Sequence, residues 1–134
     1  MSGFTTNKLI IVDDEPGVLY ALSLVLQTMG WEVLSFDRPT KALNHILTYS
    51  TDCDLVITDL RMPEISGMEL LEILRTKLPD LPVILISGHA SKPEKEKAKA
   101  LGAWGVLGKP FDTDELRELL QAVKNIPGAF EKAE

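Results

Sequence analysis

The sequence predicts a single α/β domain built on a five-stranded parallel sheet that carries helices on both faces. Five short apolar runs alternate along the 134 residues with segments whose apolar positions recur every three or four residues. Strands that are apolar on both faces are typical of a buried parallel sheet, and strand–helix alternation is typical of a doubly wound fold. We expect right-handed crossovers between consecutive strands.

The length, composition and charge restrict the class of protein. A chain of 134 residues with 45% hydrophobic residues suits one globular domain, and its net charge of -6 argues against direct nucleic-acid binding by this domain. Cys53 has no second cysteine to pair with, and no run reaches the roughly 20 apolar residues of a membrane span. We expect a cytoplasmic protein with a tail at 1–6, a domain at 7–126 and a tail or linker at 127–134.

The first strand and helix follow directly from the apolar pattern. Residues 9–12 are apolar throughout, and residues 17–29 carry one helical stripe before Gly30, a residue favoured just past a helix end. The stripe consists of Val18, Leu22, Val25 and Met29.

The second and third units follow the same alternation. Residues 31–36 read as the second strand, and 39–47 as a helix. The predicted inward positions of that helix are Ala42, Leu43, Ile46 and Leu47. The third strand is predicted at 55–58, and Ser66 with Glu69 forms a capping box that starts the third helix at 67–77.

The last two strand–helix units differ in how clearly the sequence predicts their elements. Residues 83–86 form an apolar fourth strand, and Ser91 with Glu94 is a capping box for a polar helix at 93–100. Residues 104–107 are the least regular strand, because Gly105 interrupts them. A fifth helix opens with a third predicted box, Asp112 with Glu115. Its predicted buried positions are Leu116, Leu119, Leu120 and Val123.

Polar residues with complementary chemistry stand where the predicted strands end. Asp13 and Asp14 follow the first strand, Asp59 the third, Ser87 the fourth and Lys109 the fifth. Ligands of doubly wound sheets bind outside the carboxyl ends of the strands, so these side chains are expected to share one crevice. Converging carboxylates suit Mg²⁺, which prefers oxygen ligands and leaves positions for phosphate.

This set of residues suits phosphoryl transfer to an aspartate. A carboxylate is a nucleophile towards phosphorus, an ammonium such as that of Lys109 neutralises phosphoryl oxygens, and the Ser87 hydroxyl can donate to them. Taken singly, Asp13 and Asp14 also fit a charge pair at a helix N-terminus, and Asp59 fits a strand-end turn. The combination with Lys109 favours the phosphoryl site.

Four ordered motifs make residues 7–126 resemble the receiver domain of two-component response regulators. They are Ile-Val-Asp-Asp-Glu-Pro (11–16), Asp-Leu-Val-Ile-Thr-Asp-Leu-Arg-Met-Pro-Glu-Ile-Ser-Gly-Met-Glu-Leu (54–70), Pro-Val-Ile-Leu-Ile-Ser-Gly-His (82–89) and Gly-Ala-Trp-Gly-Val-Leu-Gly-Lys-Pro-Phe (102–111). The resemblance implies the flavodoxin-like strand order 2-1-3-4-5 and a cis peptide between Lys109 and Pro110.

The resemblance also implies a role for each residue of the site. Asp59 would accept the phosphoryl group of a histidine kinase or phosphotransfer protein. Asp13, Asp14, Asp59 and the backbone carbonyl of Arg61 would hold Mg²⁺. Ser87 would be the switch hydroxyl and Lys109 the phosphate-binding lysine. The signal would leave through helix four, strand five and helix five, towards an output domain or a downstream protein.

The sequence departs from the family pattern in strand five. The family commonly has Tyr or Phe at the position of Val106, so the usual aromatic switch is missing there. Trp104 lies on the same face as Val106 only if the strand is regular through Gly105. Arg61 and His89, two residues beyond Asp59 and Ser87, are expected either to border the phosphoryl group or to be exposed loop residues.

Two other functions compete with a phosphorylated receiver. A pseudo-receiver would dock a partner without phosphorylation, but it has no chemical need for all five polar site residues. A phosphohydrolase with an aspartate nucleophile needs a second carboxylate as general acid. Leu60 and Arg61 follow Asp59, and the chain is short for a substrate cap. We expect a self-phosphorylating and self-dephosphorylating signalling domain rather than a turnover enzyme.

Overall fold

The sheet has five parallel strands in the order β2-β1-β3-β4-β5, which confirms the predicted fold class and strand order. The computed structural model describes residues 7–124. Its strands are β1 (Asn7–Val12), β2 (Trp31–Phe36), β3 (Leu55–Asp59), β4 (Val83–Ser87) and β5 (Gly105–Gly108). Its helices are α1 (Pro16–Thr28), α2 (Pro39–Thr48), α3 (Gly67–Lys77), α4 (Lys92–Ala100) and α5 (Thr113–Lys124). The tails predicted at 1–6 and 127–134 lie outside the described residues.

Local sequence signals explain how the helices begin and end. Two of the three predicted capping boxes are present, at Ser66 and Glu69 of α3 and at Ser91 and Glu94 of α4. At the third predicted box, Asp112 Oδ1 accepts the backbone N–H of Glu115 at 3.2 Å, which is one of the two hydrogen bonds that a capping box has. Gly30 follows α1 at φ +92°, a conformation that glycine adopts without a steric penalty.

The core lies in two layers, one on each face of the sheet. Alternate strand residues point to opposite faces, so each strand supplies both layers. One layer packs β1, β3 and β4 against α2, α3 and α4, with Ile10, Val56, Leu71 and Ala98 among its buried residues. The other packs the sheet against α1 and α5 and includes Leu9, Ile57, Leu22 and Leu116.

Some predicted packing positions differ in the folded chain. Leu22 of α1 is buried, but Leu26 is fully buried as well and was absent from the predicted stripe. Leu47 of α2 was predicted to face inward and is instead 39% exposed, because the helix turns Ala42 and Ile46 to the sheet. Among residues 7–124, no helix combines the length and the apolar character that a membrane crossing requires.

The register brings the ends of the central strands together. Asp59, the last residue of β3, pairs with Ile86 of β4, and Ser87 pairs with Gly108 of β5. Ser87 follows Ile86, the partner of Asp59, and Lys109 follows Gly108, the partner of Ser87, so both lie at the same edge of the sheet as Asp59. All the predicted site residues emerge at this carboxyl edge, as the doubly wound topology requires.

Candidate functional site

Three carboxylates converge at the carboxyl edge of the sheet. Asp13, Asp14 and Asp59 each place an oxygen within 4.8 Å of the others. Asp13 is 2% exposed and Asp59 is 5% exposed, whereas Asp14 is open to solvent. The Asp13 carboxylate is fixed by the backbone N–H of Glu15, which donates to its Oδ1 at 2.9 Å. The sequence prediction that these three side chains meet is confirmed.

Lys109 reaches across the site and contacts three acidic side chains. Its Nζ lies 2.9 Å from Asp13 Oδ2, 2.8 Å from Glu15 Oε1 and 3.3 Å from Asp59 Oδ2. The Lys109 backbone N–H donates to the carbonyl of Ser87 at 2.8 Å, which fixes the start of this side chain beside β4. The predicted cis peptide between Lys109 and Pro110 is present.

The surroundings of Asp59 and Lys109 raise the pKa of both side chains. Burial raises the pKa of Asp59 and the Asp13 carboxylate raises it further, while Lys109 and the Arg61 backbone N–H act against this. Burial lowers the pKa of Lys109, but Glu15, Asp13 and Asp59 together raise it above its ordinary value. Lys109 is thus a permanent cation, and Asp59 is more basic than an exposed aspartate.

The acidic cluster has a donor set that fits a divalent cation. Asp13 Oδ2 is buried, and among residues 7–124 no hydrogen bond is directed at it, although Lys109 Nζ lies nearby. Lys109 supplies one positive charge to a cluster of three carboxylates, so negative charge remains for a divalent cation to neutralise. Two further carboxylates stand within reach, and all the side-chain donors are hard oxygens, which suits Mg²⁺.

Two residues of the site were missed by the sequence analysis. Glu15 supplies the shortest contact to Lys109, and its position directly after the acidic pair was the available signal. Gly67 starts α3, and a Cβ added there would lie 2.1 Å from the carbonyl oxygen of Asp59. Its backbone N–H donates to the Leu60 carbonyl at 2.8 Å. The absence of a side chain therefore lets α3 approach the backbone of Asp59.

Arg61 and His89 lie beside the site but do not contact Asp59 through their side chains in any described hydrogen bond. The Arg61 guanidinium binds both carboxylate oxygens of Glu94, at 3.0 and 2.7 Å, and the His89 carbonyl at 2.9 Å. The His89 backbone N–H donates to Ser87 Oγ at 3.2 Å. Both residues thus join the loop after β3 to the loop after β4.

Val106 and Trp104 lie on opposite faces of the sheet. Val106 packs against the layer that contains α4, and Trp104 packs against the layer that contains α5. The predicted strand 104–107 is therefore shifted by one residue, because Trp104 turns out of the pleated alternation before β5 begins at Gly105. Trp104 therefore does not supply an aromatic ring on the face where Val106 lies.

Comparisons with known proteins agree with this geometry. The family model described as the response regulator receiver domain matches residues 9–121. The chain is 36% identical over 112 residues to the transcriptional regulatory protein GlrR of Escherichia coli, which covers 84% of this chain and 25% of GlrR. It is 36% identical over 128 residues to the response regulator protein TmoT of Ectopseudomonas mendocina, covering 95% of this chain and 57% of TmoT. The chain thus spans between a quarter and somewhat over half of these relatives.

Solved structures give the same family. A response regulator receiver domain protein from Clostridium thermocellum superimposes with a TM-score of 0.84 at 30% identity, covering 89% of this chain and 94% of that one. The chemotaxis protein CheY4 of Vibrio cholerae gives a TM-score of 0.80 at 30% identity, covering 89% and 99%. With a family match over most of its length and a matching fold, the chain belongs to the receiver domains of two-component response regulators.

Proposed function

We propose that this receiver is switched by phosphorylation of Asp59, with a histidine kinase or phosphotransfer protein as the donor. Membership of the family already implies phosphorylation-dependent signalling. The observation that carries the assignment to Asp59 is its position at the end of the central strand β3, between the acidic pair that follows β1 and Ser87 of β4, with the Lys109 ammonium 3.3 Å from its Oδ2. Asp13 and Asp14 are carboxylates as well, but they follow the first strand, and we assign them as ligands of the metal ion.

The proposed reaction transfers one phosphoryl group between two side chains. An Asp59 oxygen forms a bond to phosphorus while the bond from phosphorus to the imidazole nitrogen of the donor breaks, and the imidazole keeps that electron pair. Lys109 neutralises charge on the phosphoryl oxygens, and the Ser87 hydroxyl donates a hydrogen bond to one of them. The raised pKa of Asp59 favours attack, because a more basic carboxylate is a better nucleophile.

Receiver domains bind Mg²⁺ at an acidic pocket, and the cluster of Asp13, Asp14 and Asp59 fits that ion. We assign these three side chains and the backbone carbonyl of Arg61 as its ligands. When bound, the ion supplies positive charge to the oxygens of the transferring group. The protein's own part is to hold Asp13 in place through the Glu15 N–H and to hold Lys109 between the carboxylates.

The proposed output is a change in the face formed by α4, β5 and α5, read by an output domain or a downstream protein. Lys109 and Ser87 lie at the ends of β5 and β4, so movement towards a phosphoryl group is passed directly to the loops that lead into α5 and α4. Val106 cannot supply a switching ring, so the change on this face must come from the loops and the helix ends.

Phosphorylation by a small donor tests the proposal. We expect incubation with Mg²⁺ and acetyl phosphate to add one phosphoryl group, detected by intact-protein mass spectrometry. Asp59→Asn should abolish the adduct, while Asp80→Asn, in the exposed turn between α3 and β4, should retain it. A native protein without an adduct would support the pseudo-receiver alternative. An undiminished adduct on Asp59→Asn would show that another residue is the acceptor.

A further inference from the structure

A continuous hydrogen-bonded network joins the Ser87 hydroxyl to the N-terminus of α4. The His89 N–H donates to Ser87 Oγ at 3.2 Å, and the His89 carbonyl accepts from Arg61 Nη2 at 2.9 Å. The same guanidinium forms a bidentate ion pair with Glu94, in which Nη2 lies 2.7 Å from Oε1 and Nη1 lies 3.0 Å from Oε2. Arg61 therefore binds the loop after β4 at His89 and the first turn of α4 at Glu94.

Glu94 has two roles at the start of α4. Its Oε1 accepts the Ser91 backbone N–H at 2.9 Å, and its own N–H donates to Ser91 Oγ at 3.2 Å. The hydrogen bond from Arg61, followed by the one from the Ser91 backbone, lowers the pKa of Glu94 to about 2. Glu94 is therefore ionised throughout the physiological pH range, and its pair with Arg61 is permanently charged.

The loop that carries Arg61 is also anchored on its other side. Glu64 adopts φ +75°, and its Oε1 accepts the Thr40 hydroxyl at 2.7 Å, next to the start of α2. A glutamate in the left-handed region costs free energy that the surrounding contacts must offset. The loop that carries Arg61 is thus linked to α2 through Glu64, as well as to α4 and the loop after β4 through Arg61.

We propose that Glu94 is a positioning residue that, through Arg61, restrains Ser87 and His89 in the arrangement of the unphosphorylated site. The proposal rests on the proposed function, in which Ser87 closes on a phosphoryl group at Asp59. Ser87 moves in that step together with the segment to which Arg61 and Glu94 are bound. A doubly charged phosphoryl group two residues before Arg61 also competes with Glu94 for the guanidinium.

The physical consequence is that loss of the Glu94 charge makes the phosphorylated arrangement easier to reach. Glu94→Gln retains the capping geometry, because glutamine also serves at the third position of a capping box, but it removes the charge that holds Arg61. An exposed ion pair contributes little free energy, so its loss changes an equilibrium constant only a few fold. We expect about a two- to fivefold gain in affinity for beryllofluoride, a phosphoryl analogue, in the presence of Mg²⁺.

The chain offers a matched control in the capping box of α3. Glu69 Oε1 accepts the Ser66 N–H at 2.9 Å, as Glu94 does at Ser91, but Glu69 forms no ion pair with any residue in 7–124. Glu69→Gln therefore makes the same chemical change at the same helix position without touching Arg61. We expect its affinity for beryllofluoride to equal that of the wild type, and the unfolding free energies of the two variants to be similar.

Titration with beryllofluoride at constant Mg²⁺, followed by tryptophan fluorescence or amide chemical shifts, measures these affinities. Raising the salt concentration screens the Arg61–Glu94 pair, so the wild type should approach Glu94→Gln while Glu69→Gln keeps following the wild type. Equal affinities of Glu94→Gln and the wild type, or weaker binding by Glu94→Gln, would overturn the restraint and leave the proposed function intact. A wild type that binds no beryllofluoride would overturn both.

A second measurement does not depend on a variant folding. Hydrogen exchange of the amides in 87–91 of the unmodified wild type should quicken with salt, because screening releases the loop after β4. The amides of 66–69, at the matched capping box, should not respond. Salt-independent exchange in 87–91 would contradict the proposal even if Glu94→Gln failed to fold.

Discussion

Trp104 donates its indole N–H to the backbone carbonyl of Leu119 at 3.1 Å and thereby ties the start of β5 to α5. The Trp104 backbone N–H also donates to the Val83 carbonyl at 2.7 Å, so the residue is fixed through both its main chain and its ring. Gly105 makes room for this contact, since a Cβ there would lie 2.9 Å from both terminal carbons of Leu119. Trp104 is therefore a structural residue of the α5 side.

Removal of the Trp104 hydrogen bond should weaken the domain without impairing phosphorylation. Trp104→Phe loses the indole donor and leaves the Leu119 carbonyl without that partner, which should lower the unfolding free energy by about 1–3 kcal/mol. Urea unfolding followed by circular dichroism measures the change. Tyr20→Phe, at a side chain that is 69% exposed, should have no measurable effect. A marked loss of acetyl phosphate reactivity in Trp104→Phe would instead assign the ring to the switch.

A side chain at Gly67 should damage both the stability and the site. In Gly67→Ala the Cβ would meet the Asp59 carbonyl oxygen at 2.1 Å, and backbone cannot move aside as a flexible side chain can. We expect a loss of about 3 kcal/mol or more, together with slower phosphorylation, because β3 must shift at its last residue. Both are measured by urea unfolding and by the acetyl phosphate reaction.

Gly17→Ala is the control for this substitution. Gly17 also lies at the start of a helix, but nothing approaches within 4 Å of a Cβ placed there. Alanine should therefore stabilise the protein by up to about 1 kcal/mol through its higher helix propensity. Equal effects of alanine at the two glycines would show that the close approach of α3 to Asp59 is not what constrains Gly67.

Asp59→Asn should stabilise the unphosphorylated protein at neutral pH. Because the folded state raises the pKa of Asp59 above its ordinary 3.8, the ionised form is disfavoured there, and wild-type stability falls as the pH rises through this raised pKa. Asparagine removes that loss, so its advantage in melting temperature should be largest at neutral pH and should vanish below pH 3.8. Melting curves from acidic to neutral pH test this.

Asp80→Asn controls for the change in net charge and should show no such pH-dependent gain. Asp80 is exposed in the turn before β4, away from the carboxyl edge of the sheet. An advantage of Asp59→Asn that persisted unchanged in acid would contradict the role of its ionisation.

Mg²⁺ should stabilise the wild type through the acidic cluster. A ligand that binds only the folded state at a hundred times its dissociation constant adds about 2.7 kcal/mol, so the melting temperature should rise with the Mg²⁺ concentration. Asp13→Asn should lose most of this response, because it removes a buried charge from the cluster. Asp80→Asn should keep the wild-type response, and loss of the response in both variants would point to a nonspecific effect of charge.

The convergence of the candidate site residues could be predicted from the sequence, because each stands at the end of a predicted strand and parallel strands end at the same edge of the sheet. The pairing register then brings Asp59, Ser87 and Lys109 together. Periodicity was less informative where burial depends on the neighbouring elements. Leu26 and Leu47 were misassigned because a single helix does not show how far its apolar face turns towards the sheet.

The sequence by itself determined the fold class, the strand order implied by the family resemblance, and the candidate nucleophile, cation and acidic pair. Only the tertiary structure decided which partners those residues have. Three of the contacts join residues that are separated in sequence: Glu15 with Lys109, Glu94 with Arg61, and Gly67 with Asp59. The backbone direction at Trp104 decides that its ring and Val106 lie on opposite faces of the sheet. Such contacts depend on distances and directions in the packed domain, which local residue patterns do not specify.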